Sequence, residues 1–378
     1  MQNKAEIIKQ YSSLIKSMID SKLSDDSSVT NSYTIHLTDS EFKFILHEPS
    51  TSILNYELKN RIEEIITTGL YPQWVVKHEP GLNLVPVPDA DPDSARALVF
   101  KLHFGLYKRL KVVSLTDNLF LVSNGKDLGI ELMKDYVWLP DKYKHLAIQA
   151  VTTAGKSTFL EFLLVNTAAF TKKKINLGAF NDNFKNQIVI DPKKDPFLKR
   201  IAESLGADYI SPDFQKSDAD FVQSVCDKLK QVSDLVHSRA DMLDKNPELK
   251  FKDVWLFIDE LLAIPELANK KQKELYISLI NRLLLMSASV NVHLITAAQS
   301  YIAGASISSQ ARLQFSMRIL LTSRVNAENS SFLFKELDSD AINNLVLDVD
   351  EFGSLGVGIA SQGAGEIIPF KAPYIEKR

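Results

Sequence analysis

Only one cysteine, Cys226, occurs in 378 residues, which excludes an intramolecular disulfide and fits a reducing compartment. No run of about 18 apolar residues is present, so no segment is expected to span a membrane. The first residues, Met1 to Ile8, are polar and lack the apolar core of a signal peptide. A soluble, cytoplasmic chain is therefore expected. Excess charge is missing as well: 44 Lys and Arg stand against 47 Asp and Glu, a net charge of −3. That balance excludes a general polyanion-binding surface and confines any nucleic-acid contact to local patches. What is present is ordinary globular material, 45% hydrophobic, with room for two domains or one large one.

The chain is organised around the stretch from His145 to Leu160. Leu146 to Ala150 reads as a short buried strand, Gly155-Lys156-Ser157 as a turn, and Thr158 to Phe170 as an apolar helix. Together they form the strand, loop and helix of a phosphate-binding P-loop. A triphosphate needs converging backbone N–H groups, a positive helix end, a mobile ammonium and a hydroxyl for magnesium. The loop Ala150, Val151, Thr152, Thr153, Ala154, Gly155, Lys156, Ser157 and Thr158 supplies them, which implies ATP and Mg2+. Lys156 would reach the outer phosphates and Ser157 would hold the metal. Ala150 stands where the motif has its first glycine, and its methyl is expected to narrow or shift the turn. The plain alternative is a loop that happens to contain Gly-Lys-Ser before a helix.

A second run, Val254 to Glu260, is five apolar residues followed by two acids. Such a strand is buried on both faces and delivers its carboxylates to the edge of a parallel sheet where ligands bind. Asp259 would hold magnesium through water and Glu260 would polarise the attacking water. A third buried strand, Val290 to Ala298, ends at Gln299, which is placed to sense the γ-phosphate or to sit solvated at a strand end. His293 on that strand reads as a satisfied core or edge histidine, since no Cys or second His lies at metal spacing.

Elsewhere the patterning predicts an amphipathic helix over residues 2–23, a linker over 24–32, a strand at Tyr33 to Leu37 and a helix near Leu54 to Thr68. It predicts β-rich runs at Trp74 to Lys77 and Leu82 to Val87, and a helix from about Ser94 to Leu106. The acids of Asp89 to Ser94 are read as that helix's start in preference to a metal site. Strands follow at Val112 to Val122 and Ile130 to Leu139. Lys172-Lys173-Lys174 reads as solvated charge at a helix end. Helices are expected over Phe197 to Leu205, Asp218 to Leu243 and Lys270 to Ala288. The expected division is a helix and linker over 1–31, a small α/β domain over 32–140 and a motor domain over 141–378.

Five blocks in order resemble the motor domain of the FtsK/SpoIIIE family of DNA translocases, over roughly residues 120 to 375. They are His145 to Ile148 before the P-loop, Ile188 to Lys193 ("IDPK"), Phe257 to Leu261 ("VDEL"), Asn291 to Gln299 ("GIHLILATQ") and Phe315 to Ile319 ("PTRI"). Gly356 to Ala360 and Ile368 to Tyr374 resemble the closing hairpin. The resemblance implies an α/β, RecA-like P-loop NTPase fold with a mostly parallel central sheet, plus the smaller N-terminal α/β domain. It also implies a homo-hexameric ring around double-stranded DNA, with ATP at subunit boundaries and an arginine donated in trans. Arg318 matches the motif arginine and Arg324 lies a few residues on; either is a candidate. Small-residue loops at Gly304 to Gln310 and Ser361 to Glu366 are candidates for the channel.

This sequence departs from the family at Ala150 and Thr153, which replace glycines, and at Ser300, which replaces an arginine. No membrane span precedes the motor and no winged-helix reader follows it. The expected kind is therefore a stand-alone or mobile-element motor, working with replication or transfer proteins. Residues 1–120 carry no such likeness. Two functions stand: an ATP-driven translocase of double-stranded DNA, and a nucleotide-binding assembly or adaptor protein that hydrolyses little.

Overall fold

The computed structural model describes residues 4–23, 33–47, 54–92, 94–116, 119–125, 127–213, 215–301, 307–363 and 365–377. The expected linker 24–32 lies outside these residues, as do residues 304–306 of the expected channel loop. The chain divides into two compact units. One comprises Met1–Tyr107, Val325–Asp348 and Gly365–Pro369, and the other Lys108–Arg324, Val349–Ala364 and Phe370–Arg378. The division falls at Tyr107, where the sequence reading puts it at 140, because the strands after 107 pack on the P-loop helix. There Asn166 Oδ1 accepts the Phe120 N–H at 2.8 Å, and the Phe120 ring lies 5.6 Å from that of Phe162. The 325–348 segment joins the first unit through Tyr56, whose hydroxyl donates to Asp338 at 2.6 Å.

In the first unit the elements are α1 (Lys4–Leu23), β1 (Tyr33–Leu37), β2 (Glu41–Leu46), α2 (Tyr56–Leu70), β3 (Trp74–Lys77), β4 (Leu84–Pro86) and β5 (Arg96–Phe104). The sheet runs β1-β2-β5-β3, with β4 also on β5, and each of these pairings is antiparallel. Phe42, Phe44, Leu98, Phe100 and Leu102 turn to one face and meet Ile15 and Ile19 of α1 and Ile62, Ile65 and Ile66 of α2. Ile45, Ala97 and Val99 turn to the other. That alternation decides the helix expected from Ser94 to Leu106, which is instead β5, the strand that pairs with β2, β3 and β4. Its Ala, Arg, Leu and Lys are good helix formers, but a period of two with both faces buried outweighs local propensity. The acids before it therefore start no helix. Asp89 takes a left-handed φ of 56° and Ser94 N–H bonds Asp91 O in a turn. β2, unread in the sequence, has the same alternation.

The second unit contains β6 (Lys111–Ser114), β7 (Leu121–Asn124), β8 (Asp127–Met133), β9 (Tyr136–Trp138), β10 (His145–Ala150), α3 (Lys156–Asn176), β11 (Gln187–Ile190) and α4 (Pro196–Ser204). It continues with β12 (Asp208–Ile210), α5 (Asp218–Lys245), β13 (Val254–Ile258), β14 (Val292–Ala298), β15 (Phe315–Leu321), β16 (Val357–Gln362) and β18 (Tyr374–Lys377), while β17 (Ile367–Lys371) begins in the first unit and ends in the second. The helix Lys270–Met286 joins β13 to β14. The main sheet is ordered β12-β11-β13-β14-β10-β15-β16-β17. β12 through β15 in that order are parallel, and β16 is antiparallel to β15. Every residue of β10, β11, β13 and β14 is buried, as expected for parallel strands covered on both faces. β14 lies between the P-loop strand β10 and the acid-ended strand β13, and the fold is α/β and RecA-like. Among the described residues no helix is long and apolar enough to cross a membrane.

Phe100 is 3% exposed and its ring packs tilted against that of Phe42, with centroids 6.1 Å apart. Phe100→Ala is expected to destabilise the first unit by about 3–5 kcal/mol, read as an earlier urea transition. A change below about 1 kcal/mol would contradict the packing of β5 as its core strand.

Candidate nucleotide-binding site

Register brings four strand ends to one edge. Ile190 pairs with Ile258, Ile258 with Thr296, and Gln149 with Ala298. The residues just beyond each strand therefore converge at the carboxyl edge, where open α/β sheets bind ligands. β10 delivers Ala150 to Thr158, β13 delivers Asp259 and Glu260, β14 delivers Gln299, and β11 delivers Asp191 to Lys193.

Gly155 caps α3 with φ 87° and ψ 15°. The left-handed turn points the first α3 amides, which have no acceptor within the helix, out of the loop with the positive end of the macrodipole behind them. Lys156 Nζ lies 2.6 Å from Asp259 Oδ1 and 3.1 Å from Glu260 Oε2. Glu260 itself has φ 60°, an uncommon conformation for a side-chain-bearing residue and one that gathers at functional sites. It is tethered by backbone bonds on either side, Asp259 N–H to Ile190 O and Leu261 N–H to Ala297 O, both 2.9 Å. Its Oε2 also takes a 2.7 Å hydrogen bond from Lys193, and its Oε1 accepts the Gln299 N–H at 3.2 Å.

Of the expected site residues, Lys156, Asp259 and Glu260 are thus brought into contact. Gln299 meets Glu260 through its main chain, with its side chain exposed. Ser157 follows Lys156 in the first turn of α3. Lys193 was not singled out from sequence; the signal available was an acid and a lysine just past a buried strand. Asp191 places it, accepting the N–H groups of Lys193, Lys194 and Asp195 and the Tyr209 hydroxyl. Burial pushes the Glu260 carboxyl up, but the Lys193 hydrogen bond and the Lys156 charge outweigh it and hold Glu260 below the usual carboxylate range.

Ala150 does not narrow the turn. It is the last residue of β10, paired with Leu321, and an extended backbone accommodates a methyl. The departure that strains the loop is Thr153, with φ 67°. Arg318 and Arg324 also separate. Arg318 is level with Ala147 on β10, and its Nη2 donates to Ser361 Oγ at 3.2 Å and Gly363 O at 3.0 Å. Arg324 is exposed just beyond the end of β15, on the P-loop edge. His293 is fully buried and satisfied, with Lys144 O at 2.8 Å and Asp253 Oδ1 at 2.7 Å. Lys174, expected in solvent, instead bridges Asp141 at 2.8 Å and the fully buried Asp253 at 3.0 Å.

No family model matches the chain. The Ftsk domain-containing protein YdcQ of Bacillus subtilis is 24% identical to it over 258 residues, 66% of this chain and 47% of the relative. The chain thus resembles a protein named for an FtsK domain. It spans about half, 47%, of the length of that curated relative. Solved structures similar to the chain include the monomer form of the pCW3 conjugation coupling protein TcpA with ATPγS, at 14% identity and TM-score 0.49, covering 95% of each chain. Another is the cytoplasmic domain of the Thermomonospora curvata type VII secretion ATPase EccC, at 17% identity and TM-score 0.43, covering 62% of this chain and 26% of that one. A third is the genome packaging NTPase B204 from Sulfolobus turreted icosahedral virus 2 with AMPPCP, at 13% identity and TM-score 0.35, covering 62% and 98%.

Two predictions follow from the loop and its acids. Thr153→Gly relieves a left-handed strain of about 1–2 kcal/mol, offset by about 0.5–1 kcal/mol of glycine entropy, and so should raise the thermal midpoint slightly. Ala150→Gly, in a strand, should lower it; shifts of the same sign in both variants would contradict the assignment of strain to Thr153. Lys193→Met removes a donor from Glu260 and should move that carboxyl's titration upward, as followed by carbon-detected NMR. An unmoved titration would show that Lys156 alone sets it.

Proposed function

We propose that this chain is an ATP-hydrolysing motor acting on DNA. The observation that carries the reading is the convergence of Lys156, Asp259 and Glu260 at the edge where α3 presents its amides. The FtsK-domain name of the curated relative gives the class of work, and double-stranded DNA is the proposed track. The work would be done as a homo-hexameric ring in the cytoplasm, in plasmid or phage DNA transfer or replication.

The residues suit a nucleoside triphosphate. Lys156 would exchange its contact with Asp259 for the outer phosphates, against which α3 points its N-terminus. Among the described residues no group of three or more His, Cys, Asp or Glu is placed to hold a metal. A magnesium ion would therefore rely on phosphate oxygens, with Ser157 and Asp259 as its protein partners, and would offset negative charge on the phosphates. Glu260, kept ionised by its lysines, would accept the proton of a water attacking the γ-phosphorus as the bond to the bridging oxygen of ADP breaks. Gln299, at the end of the interposed strand, would orient that water.

Of the two arginines, Arg324 is the better placed to serve a neighbouring subunit, since it is exposed beyond the strand end whereas Arg318 lies within β15. The alternative, a nucleotide-binding adaptor with little turnover, draws on the contacts that occupy both Glu260 oxygens.

DNA-stimulated ATP turnover separates the two. Glu260→Gln should retain nucleotide yet hydrolyse at least a hundredfold more slowly, roughly the contribution of a general base, and Lys156→Ala should lose tight binding. Arg324→Ala should bind ATP but turn over about 10³-fold or more slowly. Mixing Arg324→Ala with Lys156→Ala subunits should restore activity, because a mixed ring contains boundaries where an intact loop meets an intact arginine. Parent turnover indistinguishable from Glu260→Gln, with or without DNA, would leave the adaptor reading; no recovery on mixing would remove the shared site.

A further inference from the structure

The P-loop is braced from outside by a segment that belongs to none of its own motifs. Gly356 N–H donates to Ala154 O at 3.1 Å, and Ala372 N–H to Gly356 O at 2.8 Å. The approach is close on the strap side, at Gly356, and leaves ordinary van der Waals room at Gly155. A Cβ on Gly155 would meet Leu355 Cδ1 at 3.4 Å and Gly356 N at 3.5 Å. One on Gly356, where φ is 70°, would meet the Ala372 methyl at 3.1 Å. Gly155 is constrained by its left-handed turn, φ 87°, and Gly356 by both its φ and its packing on Ala372.

What holds the strap is Arg109, far upstream and just ahead of β6. Its Nε bonds Asp350 Oδ2 at 2.6 Å and its Nη2 bonds Leu355 O at 2.8 Å, so one guanidinium grips both ends of residues 350–355. Its plane lies 5.4 Å from the Phe352 ring, which stacks on Tyr374 of β18 at 3.9 Å. β18 in turn pairs with β6, closing the brace. The Arg109 side chain is 3% exposed and that of Asp350 23%. A two-pronged planar donor suits this grip and a lysine does not reproduce it.

We propose that Arg109 is a positioning residue for the phosphate loop: by clamping residues 350–355 it fixes Gly356 against Ala154 and sets the loop in its phosphate-binding shape. The inference rests on the reading of Ala150–Thr158 as a nucleotide site and adds a determinant outside every motif of that site. Because the strap touches the loop backbone, its effect falls on the phosphate end of the ligand.

The test compares the full chain with Arg109→Lys and Asp350→Asn, using two probes, a fluorescent ATP analogue and inorganic tripolyphosphate. Affinities are measured at a temperature where circular dichroism shows each variant folded. Both variants should bind both probes about tenfold more weakly, the loss of one charge-assisted contact. In turnover, the change should fall on KM more than on kcat. A lowered thermal midpoint with unchanged affinity in the folded protein would make Arg109 merely structural and overturn the proposal. So would a loss confined to the ATP analogue, which would put the effect at the base. Should Arg109→Lys fail to fold, the near-isosteric Asp350→Asn decides alone. A parent chain that binds neither probe overturns the nucleotide reading, whereas a parent that binds beside equally competent variants overturns only the role of Arg109.

Discussion

The contact between Lys156 and Asp259, 2.6 Å across 103 positions of sequence, depends on strands that end at the same edge of one sheet. β10 and β13 are not neighbours; β14 lies between them and hydrogen-bonds to both. Their relative height is therefore fixed by two registers in series. A slip of one residue in either would exchange the two buried faces of that strand and misfit the side chains packed on both. Full burial of β10, β13 and β14 is what forbids the slip, so the hydrophobic core sets the position of the charges.

The two edges of this sheet are treated differently. At the amino edge a closed polar network seals the strands. Asp253, fully buried, takes Lys174 and His293, and Trp255 stacks on the His293 ring at 4.2 Å. Burial pushes Asp253 up, but His293 and Lys174 together hold it below its ordinary value. His145, under the same burial and beside His293, is pushed down to about 3 and accepts the Leu294 N–H as a neutral ring. At the carboxyl edge the backbone is bent instead. Thr153, Lys194 and Glu260 all take left-handed φ values, each costing of order 1–3 kcal/mol. The distorted edge is the one that carries the candidate chemistry.

Some of this was legible from local pattern. Gly155-Lys156-Ser157 after an apolar strand, and five apolar residues running into Asp259 and Glu260, specify buried parallel strands with their polar ends together, because strands buried on both faces have no other place for charge. The helices α1 to α5 announced themselves by period and caps. β5 did not: its residues favour a helix one by one, and only packing of Leu98, Phe100 and Leu102 against α1 and α2 makes the period of two decisive.

The sequence by itself determined the buried strands and the candidate residues at their ends, Lys156, Asp259 and Glu260, since period and motif spacing are local properties, and its resemblance to a known family implied the RecA-like class. Tertiary structure alone decided which residues act on one another. Lys193 reaches Glu260 because β11 is one strand from β13, and Arg324 rather than Arg318 stands at the loop edge because β15 pairs with β10 in one register. The strain falls on Thr153 and not Ala150 because the strand runs up to and includes the motif's first position. Arg109 braces the loop through Leu355 and Asp350 across a sequence distance that no periodicity spans. Each of these depends on strand order and register, which arise from burial summed over the whole sheet and are absent from any single stretch of chain.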